Sequence, residues 1–198
     1  MIPGHFQRSA REMTDIRTFV AVLVNPNVRS SLIELSAQLA ETLPPALVRW
    51  STERQLHLTL RFLGKTSPAV VPEIGAAMAQ AAAGTGRFEV VLGDLGFFPN
   101  RRRPKVVWVG MLDPDGGLKA LSKRLDFALL PFGWPAENRP FLAHLTLGRA
   151  RGELRVPDEA IWKEPPPPAT IPVESIHLMR SSLKPGGAEY AELHRVDL

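Results

Sequence analysis

Leu56-His57-Leu58-Thr59-Leu60 and Ala143-His144-Leu145-Thr146-Leu147 carry one phrase twice, 87 positions apart. Side chains of an extended strand alternate between faces, so each copy puts its histidine and threonine on one face and its leucines on the other. That is the pattern of a half-buried strand. Each strand then offers one imidazole beside one hydroxyl, anchored from behind in a core. The chain has only five histidines, and two of them stand in matching settings about half a chain apart. The pair therefore reads as two half-sites rather than as two unrelated strand histidines.

Outward from the first copy, Arg17 to Val24 is apolar and β-branched enough for a buried strand, ended by Asn25-Pro26. Val28, Leu32, Leu35 and Leu39 recur at helical spacing from Asn27 until Pro44-Pro45. Leu47 to Trp50 reads as a short strand, and Ser51 to Gln55 turns into the first phrase, whose strand Gly64 closes. Pro68 opens a second helix with an alanine-rich body to about Ala83, and Phe88 to Leu92 is the next strand. Asp94 to Arg103 reads as a loop and Lys105 to Gly110 as a buried strand. Asp115 to Leu130 is a third helix with Leu118, Leu121, Leu125 and Leu129 on one face. Pro131 to Pro140 loops back to the second phrase.

Pro165 to Pro168 makes Arg151 to Thr170 an extended connector, a spacer rather than a ligand for a proline-binding domain. Ile171 to Met179 and Ala188 to Val196 then read as a closing hairpin around Lys184 to Gly187. Strands paired in sequence with helices interposed give an α+β protein. The repeat implies two similar lobes whose His-x-Thr strands face each other across a cleft. Residues 1–15 lack periodicity and are expected to form a flexible tail, with Met13 an alternative start, ahead of a single domain over 16–198.

A chain of 198 residues that is 44% hydrophobic can bury a sizeable core. The absence of cysteine excludes disulfides, thiolate nucleophiles and cysteine-type zinc sites. The charged N-terminal stretch is unlike a signal core, and no run approaches the roughly 18 to 20 apolar residues of a membrane span, so a soluble, cytoplasmic protein with no membrane partner is expected. The net charge is +4, with arginines at 101, 102, 103, 149 and 151, which suits a polyanionic partner as well as it suits a solvated basic surface. Phe97 is expected to pack within its hairpin, while Phe98 is open between packing and stacking on a base.

Two imidazoles, two hydroxyls and no adjacent carboxylate suit proton transfer on a phosphate diester. Opening a 2′,3′-cyclic phosphate needs water deprotonated on one side of phosphorus and the sugar oxygen protonated on the other. An imidazole pKa near 6.5 lets one histidine be charged and the other neutral. The threonines and a nearby arginine would hold the non-bridging oxygens. A metal hydrolase is disfavoured, since His-x-Thr supplies one ligand per strand and neither phrase holds a carboxylate. A non-catalytic RNA-binding module using an arginine-rich cleft is the other alternative, and it leaves the matched histidines unexplained.

At these residues the sequence resembles the two-histidine phosphoesterase superfamily, in particular the RNA 2′,3′-cyclic phosphodiesterases also described as 2′-5′ RNA ligase-like proteins. Phe19-Val20-Ala21-Val22, Leu56 to Gly64, Phe98-Pro99-Asn100 to Gly110, Arg139-Pro140-Phe141 and the closing hairpin look like family segments in family order. The resemblance covers roughly residues 16 to 198. It implies a bilobal, pseudo-symmetric α+β fold, with two antiparallel sheets facing a central cleft and helices outside. It also implies metal-independent hydrolysis of RNA or nucleoside 2′,3′-cyclic phosphate ends to 2′-phosphomonoesters, with weak reversible 2′-5′ ligation; no cofactor and a monomer are expected. His57 and His144 carry over as the acid-base pair, His57 protonating the sugar oxygen and His144 activating water. Thr59 and Thr146 carry over as phosphate ligands, and Arg149 matches a family arginine. By strict alternation Arg149 falls on the leucine face, so it reaches the phosphate only if Gly148 permits a bulge or the strand ends there; otherwise it is a surface salt bridge. His5, His177 and His194 are expected to be structural or exposed.

Overall fold

A computed structural model of the chain describes residues 14–198; His5, the Met13 start and nearly all of the expected tail 1–15 lie outside the described residues. The elements run β1 (Ile16–Leu23), α1 (Pro26–Glu41), β2 (Val48–Trp50), β3 (His57–Thr66), α2 (Val71–Ala82), β4 (Phe88–Phe98), β5 (Val106–Leu112), α3 (Gly117–Leu129), β6 (His144–Ala150), β7 (Thr170–Val173), β8 (Ser175–Lys184) and β9 (Gly187–Asp197). The strands form one curled antiparallel sheet in the order β7-β4-β5-β6-β3-β1-β8-β9, and β2 also pairs with β6.

The two phrases lie side by side at its centre, on β3 and β6, which meet only through the pair Leu58 and Leu145. The midpoint of an antiparallel pair is a local two-fold axis. The order β3-β1-β8-β9 on one side is matched by β6-β5-β4-β7 on the other, so the two expected sheets are two arms of one sheet joined at that pair. Leu58, Leu60, Leu145 and Leu147 are at most 3% exposed. Behind the sheet, Leu118, Leu121, Leu125 and Leu129 of α3 are fully buried, as are Ile74 and Met78 of α2. Burying one such side chain contributes roughly 1.5–3 kcal/mol, which fixes the register and leaves the His-x-Thr face as the front of the sheet.

Four departures from the sequence reading shape the front face. First, β4 does not end at Leu92 but continues to Phe98, so the expected loop from Asp94 shrinks to the turn after Phe98. Gly96, which looks like a loop residue, is there for clearance, whereas Gly93 has room for a side chain. A Cβ on Gly96 would lie 2.1 Å from the Trp108 ring, and one on Gly93 would lie 3.4 Å from the Gly110 carbonyl.

Second, β3 passes through Gly64, at φ 72°, and ends at Thr66. Third, the Ile171–Met179 strand is two strands divided at Glu174. β7 pairs with β4, whereas β8 pairs with β1 and β9, so the chain crosses from one arm to the other there. Fourth, the proline-rich connector is anchored: Leu154 and Trp162 are 1% exposed, and Trp162 Nε1–H donates to Thr42 Oγ at 2.8 Å.

Candidate active site

A cleft of about 540 Å³ opens over the seam, and His57, Thr59, His144, Thr146 and Arg149 all line it. The five residues singled out in the sequence therefore converge. Both histidines are held in the same way. His57 Nδ1 lies 2.9 Å from the Gln55 carbonyl and His144 Nδ1 lies 2.8 Å from the Leu142 carbonyl, each two residues upstream. A carbonyl only accepts, so Nδ1 carries the hydrogen in the neutral ring and Nε2 is left for the cleft.

Each imidazole also has two aromatic neighbours. His57 has Tyr190 edge-on at 4.9 Å and Phe19 at 4.7 Å; His144 has Phe98 edge-on at 5.0 Å and Trp108 at 5.8 Å. Phe19 on β1 and Trp108 on β5 come from strands of matching position in the two arms, so the two-fold relation extends beyond the repeated phrase; Tyr190 on β9 and Phe98 on β4 do not correspond in this way. Phe98, left open between packing and a base platform, packs on His144 and Trp108. Phe97 packs against Trp162 as expected.

Arg149 reaches the cleft through a bulge. On β6 Thr146 faces Trp108 and Gly148 faces Val107, which leaves Leu147 as an extra residue. The extra residue flips the alternation, so Arg149 joins His144 and Thr146 on the front. The same device sits on β3, where Thr59 faces Ala21 and Arg61 faces Val20; it turns Phe62 to the front at the place corresponding to Arg149. Gly148 lets β2 close over the bulge, since a Cβ there would come within 2.6 Å of Val48 and 2.9 Å of Trp50.

Pairing of β2 sets Arg49 opposite Arg149. Both line the cleft, and among the described residues neither is in an ion pair. Two like charges on facing positions repel, an arrangement that favours an anion between them.

Burial pulls the His57 pKa down to about 4; the Gln55 carbonyl opposes this, and the nearby His144 and Arg149 add to it. His144 is also lowered, first by burial, against its Leu142 carbonyl and with Arg149. Burial raises the Tyr190 hydroxyl, partly offset by Arg149 and Arg49. Among the described residues no three His, Cys, Asp or Glu side chains are grouped to hold a metal ion, and no helix is long and apolar enough to cross a membrane.

Residues outside the cleft have other roles. His177 is buried between Ser175 at 2.9 Å and Glu192 at 2.7 Å, and the His194 ring fills the space over Gly75. Arg101 does not face the cleft: it donates to the Trp162 and Pro157 carbonyls and lies over the Phe97 ring. Sequence reading missed Arg49, Tyr190, Phe19 and Trp108. Arg49 could have been found, since it lies on a short strand just ahead of the first phrase. The aromatic neighbours carry no local signal, because only strand pairing brings them to the histidines.

The clearance at Gly96 yields a first expected result. Gly96→Ala drives a methyl into Trp108, so it should cost about 1–3 kcal/mol of stability by overpacking and displace the ring beside His144. A melt and a kcat measurement on the same preparation check this; unchanged values for both contradict the packing role.

The sequence profile of the 2′-5′ RNA ligase superfamily matches residues 46–185. An RNA 2′,3′-cyclic phosphodiesterase of Aeropyrum pernix is 33% identical over 73% of this chain and 82% of its own length. One of Geobacillus stearothermophilus is 29% identical over 84% of this chain, and the match spans 52% of that relative's length. Among solved structures, Escherichia coli LigT complexed with 3′-AMP superposes with a TM-score of 0.73 at 29% identity, over 93% of this chain and 98% of that one.

Proposed function

The chain belongs to the 2′-5′ RNA ligase superfamily, and from that premise we propose that it is an RNA 2′,3′-cyclic phosphodiesterase. The observation that carries the reading is the pair of imidazoles held alike across a two-fold axis, each with Nε2 left for the cleft. Water attacks phosphorus as one imidazole takes its proton; the P–O3′ bond breaks, and the other imidazole gives a proton to O3′. The product is a 2′-phosphomonoester; the same course with an RNA 5′-hydroxyl in place of water forms P–O5′ as P–O3′ breaks, which is weak 2′-5′ ligation, and attack of O3′ with O5′ leaving reverses it.

Thr59, Thr146 and Arg149, with Arg49, hold the non-bridging oxygens and the charge they gain. No metal or cofactor enters the scheme. The substrate is an RNA end or a small cyclic nucleotide. We take residues 16–198 as one catalytic domain acting as a cytoplasmic monomer, away from membranes. The bare RNA-binding alternative loses ground because curated relatives over most of the chain are phosphodiesterases by name.

Incubation with the four nucleoside 2′,3′-cyclic phosphates tests the reading. Only 2′-phosphates should form, and no turnover of any of the four overturns it.

The lowered pKa values add a pH signature. Catalysis needs one imidazole charged and one neutral. With His57 near 4 and His144 below its ordinary value, that state is most populated in the free cleft between about pH 4 and the usual 6.5 of imidazole. The kcat/KM profile should peak on the acid side of neutrality. The kcat profile should peak at higher pH, because the bound phosphate anion favours protonated imidazole. Superposable profiles would contradict this.

Stability follows the same linkage. The unfolded chain takes up a proton on His57 before the folded protein does, so the stabilisation is complete above pH 6.5 and is lost as pH falls toward 4. The loss amounts to roughly 3 kcal/mol at about 1.4 kcal/mol per pKa unit.

A further inference from the structure

A second groove, of about 1040 Å³, runs away from the cleft on its His144 side and shares Thr59, Phe62, Phe98, Val106 and His144 with it. Its far wall is α3 and the loop before β6. We propose that this groove is the track for the single-stranded RNA that precedes the cyclic phosphate, a proposal that rests on the phosphodiesterase reading.

Three observations support an RNA strand. The surface is aromatic and open: Phe127 is 60% exposed, Phe62 61% and Leu142 48%, and Phe141 lies beside them. Flat apolar rings are stacking platforms for unpaired bases.

The rim is cationic. Lys105, Lys119, Lys123 and Arg139 line the groove, and among the described residues none of the four is in an ion pair. The two acids in the lining, Asp126 and Glu137, are both paired with the buried Arg61, Asp126 at 2.9 Å, which cancels one of their two charges and leaves four cations against one net negative charge. Lys119, Lys123 and Phe127 stand four residues apart on one face of α3. That row is about 12 Å long, room for more than one nucleotide at a stacked step of about 3.4 Å.

Continuity fixes the occupant. A strand whose terminal phosphate lies between the histidines leads directly into this groove. The arginine triplet at 101–103, which looked from sequence like the polyanion contact, has its first member spent on backbone carbonyls.

The test uses the full chain and two readouts: anisotropy of a fluorescent five-nucleotide RNA ending in a 2′-phosphate, and turnover of a nucleoside 2′,3′-cyclic phosphate. The variants are Lys119→Glu with Lys123→Glu, and Phe127→Ser, all at exposed positions. The charge reversal should weaken RNA binding at least tenfold and lower the slope of log affinity against log salt by about 2. Phe127→Ser should weaken binding with the slope unchanged. Mononucleotide turnover should stay within twofold in both.

RNA affinity unaltered in both variants overturns the track. So does an equal loss on RNA and mononucleotide, which would make the groove part of the cleft. Self-association of the wild type that the variants abolish, with RNA binding intact, assigns the face to a protein contact and overturns it too. Groove-dependent RNA binding without mononucleotide turnover in the wild type would instead overturn the phosphodiesterase reading and leave the track standing.

Discussion

Replacing either His57 or His144 by alanine is expected to lower kcat by about 10²- to 10⁴-fold, the usual contribution of a positioned acid or base. The fold should survive, because both side chains face the cleft while the leucines of their strands hold the core. His57 sits deeper, between Phe19 and Tyr190, so His57→Ala should show the larger change in melting temperature. Turnover of a nucleoside 2′,3′-cyclic phosphate, measured beside a melt, checks both variants. Activity near that of the wild type in either folded variant sinks the paired-site reading. The double variant should fall by less than the product of the single losses, since the two groups act in one concerted proton relay.

The second large effect separates the roles. An acid matters when the leaving oxygen is a basic alkoxide, and little when it is a nitrophenolate that departs unprotonated. A base acting on water is needed in both cases. His57→Ala should therefore be largely rescued on a nitrophenyl phosphodiester that the wild type accepts, while His144→Ala stays impaired on both substrates.

His57 holds its proton less readily than an ordinary imidazole, so this assignment requires the substrate anion to load it. An imidazole that binds its proton weakly is a strong donor once the substrate anion has loaded it. Rescue of the His144 variant instead would exchange the roles. Rescue of neither would leave positioning as the main contribution of His57.

What could be read from the sequence follows from what a strand reveals about itself. Alternation in the two phrases put His57, Thr59, His144 and Thr146 on one face, and the buried leucines agree. Arg149 was legible only as a condition, a bulge at Gly148, because the extra residue shows itself only against the partner strand.

Pairing was the hidden part. Nothing local says that Ile171 to Met179 changes arms at Glu174, or that Tyr190 on the last strand lies over His57. Gly93, Asp94 and Gly96 have poor strand propensity and read as a loop. At Gly96, space for the Trp108 ring, a tertiary demand, decided otherwise.

The single Leu58–Leu145 pair that joins the two arms also acts as a fulcrum. Any rocking of one arm on the other displaces atoms in proportion to their lever length from that point. His57 and His144 stand one residue from it, about 3.4 Å along their strands, whereas Leu183 near the end of β8 and Lys105 just ahead of β5 lie further out. Breathing of the molecule would therefore widen or narrow the entrance and the groove while hardly changing the spacing of the two imidazoles, so that substrates of different bulk meet the same catalytic geometry.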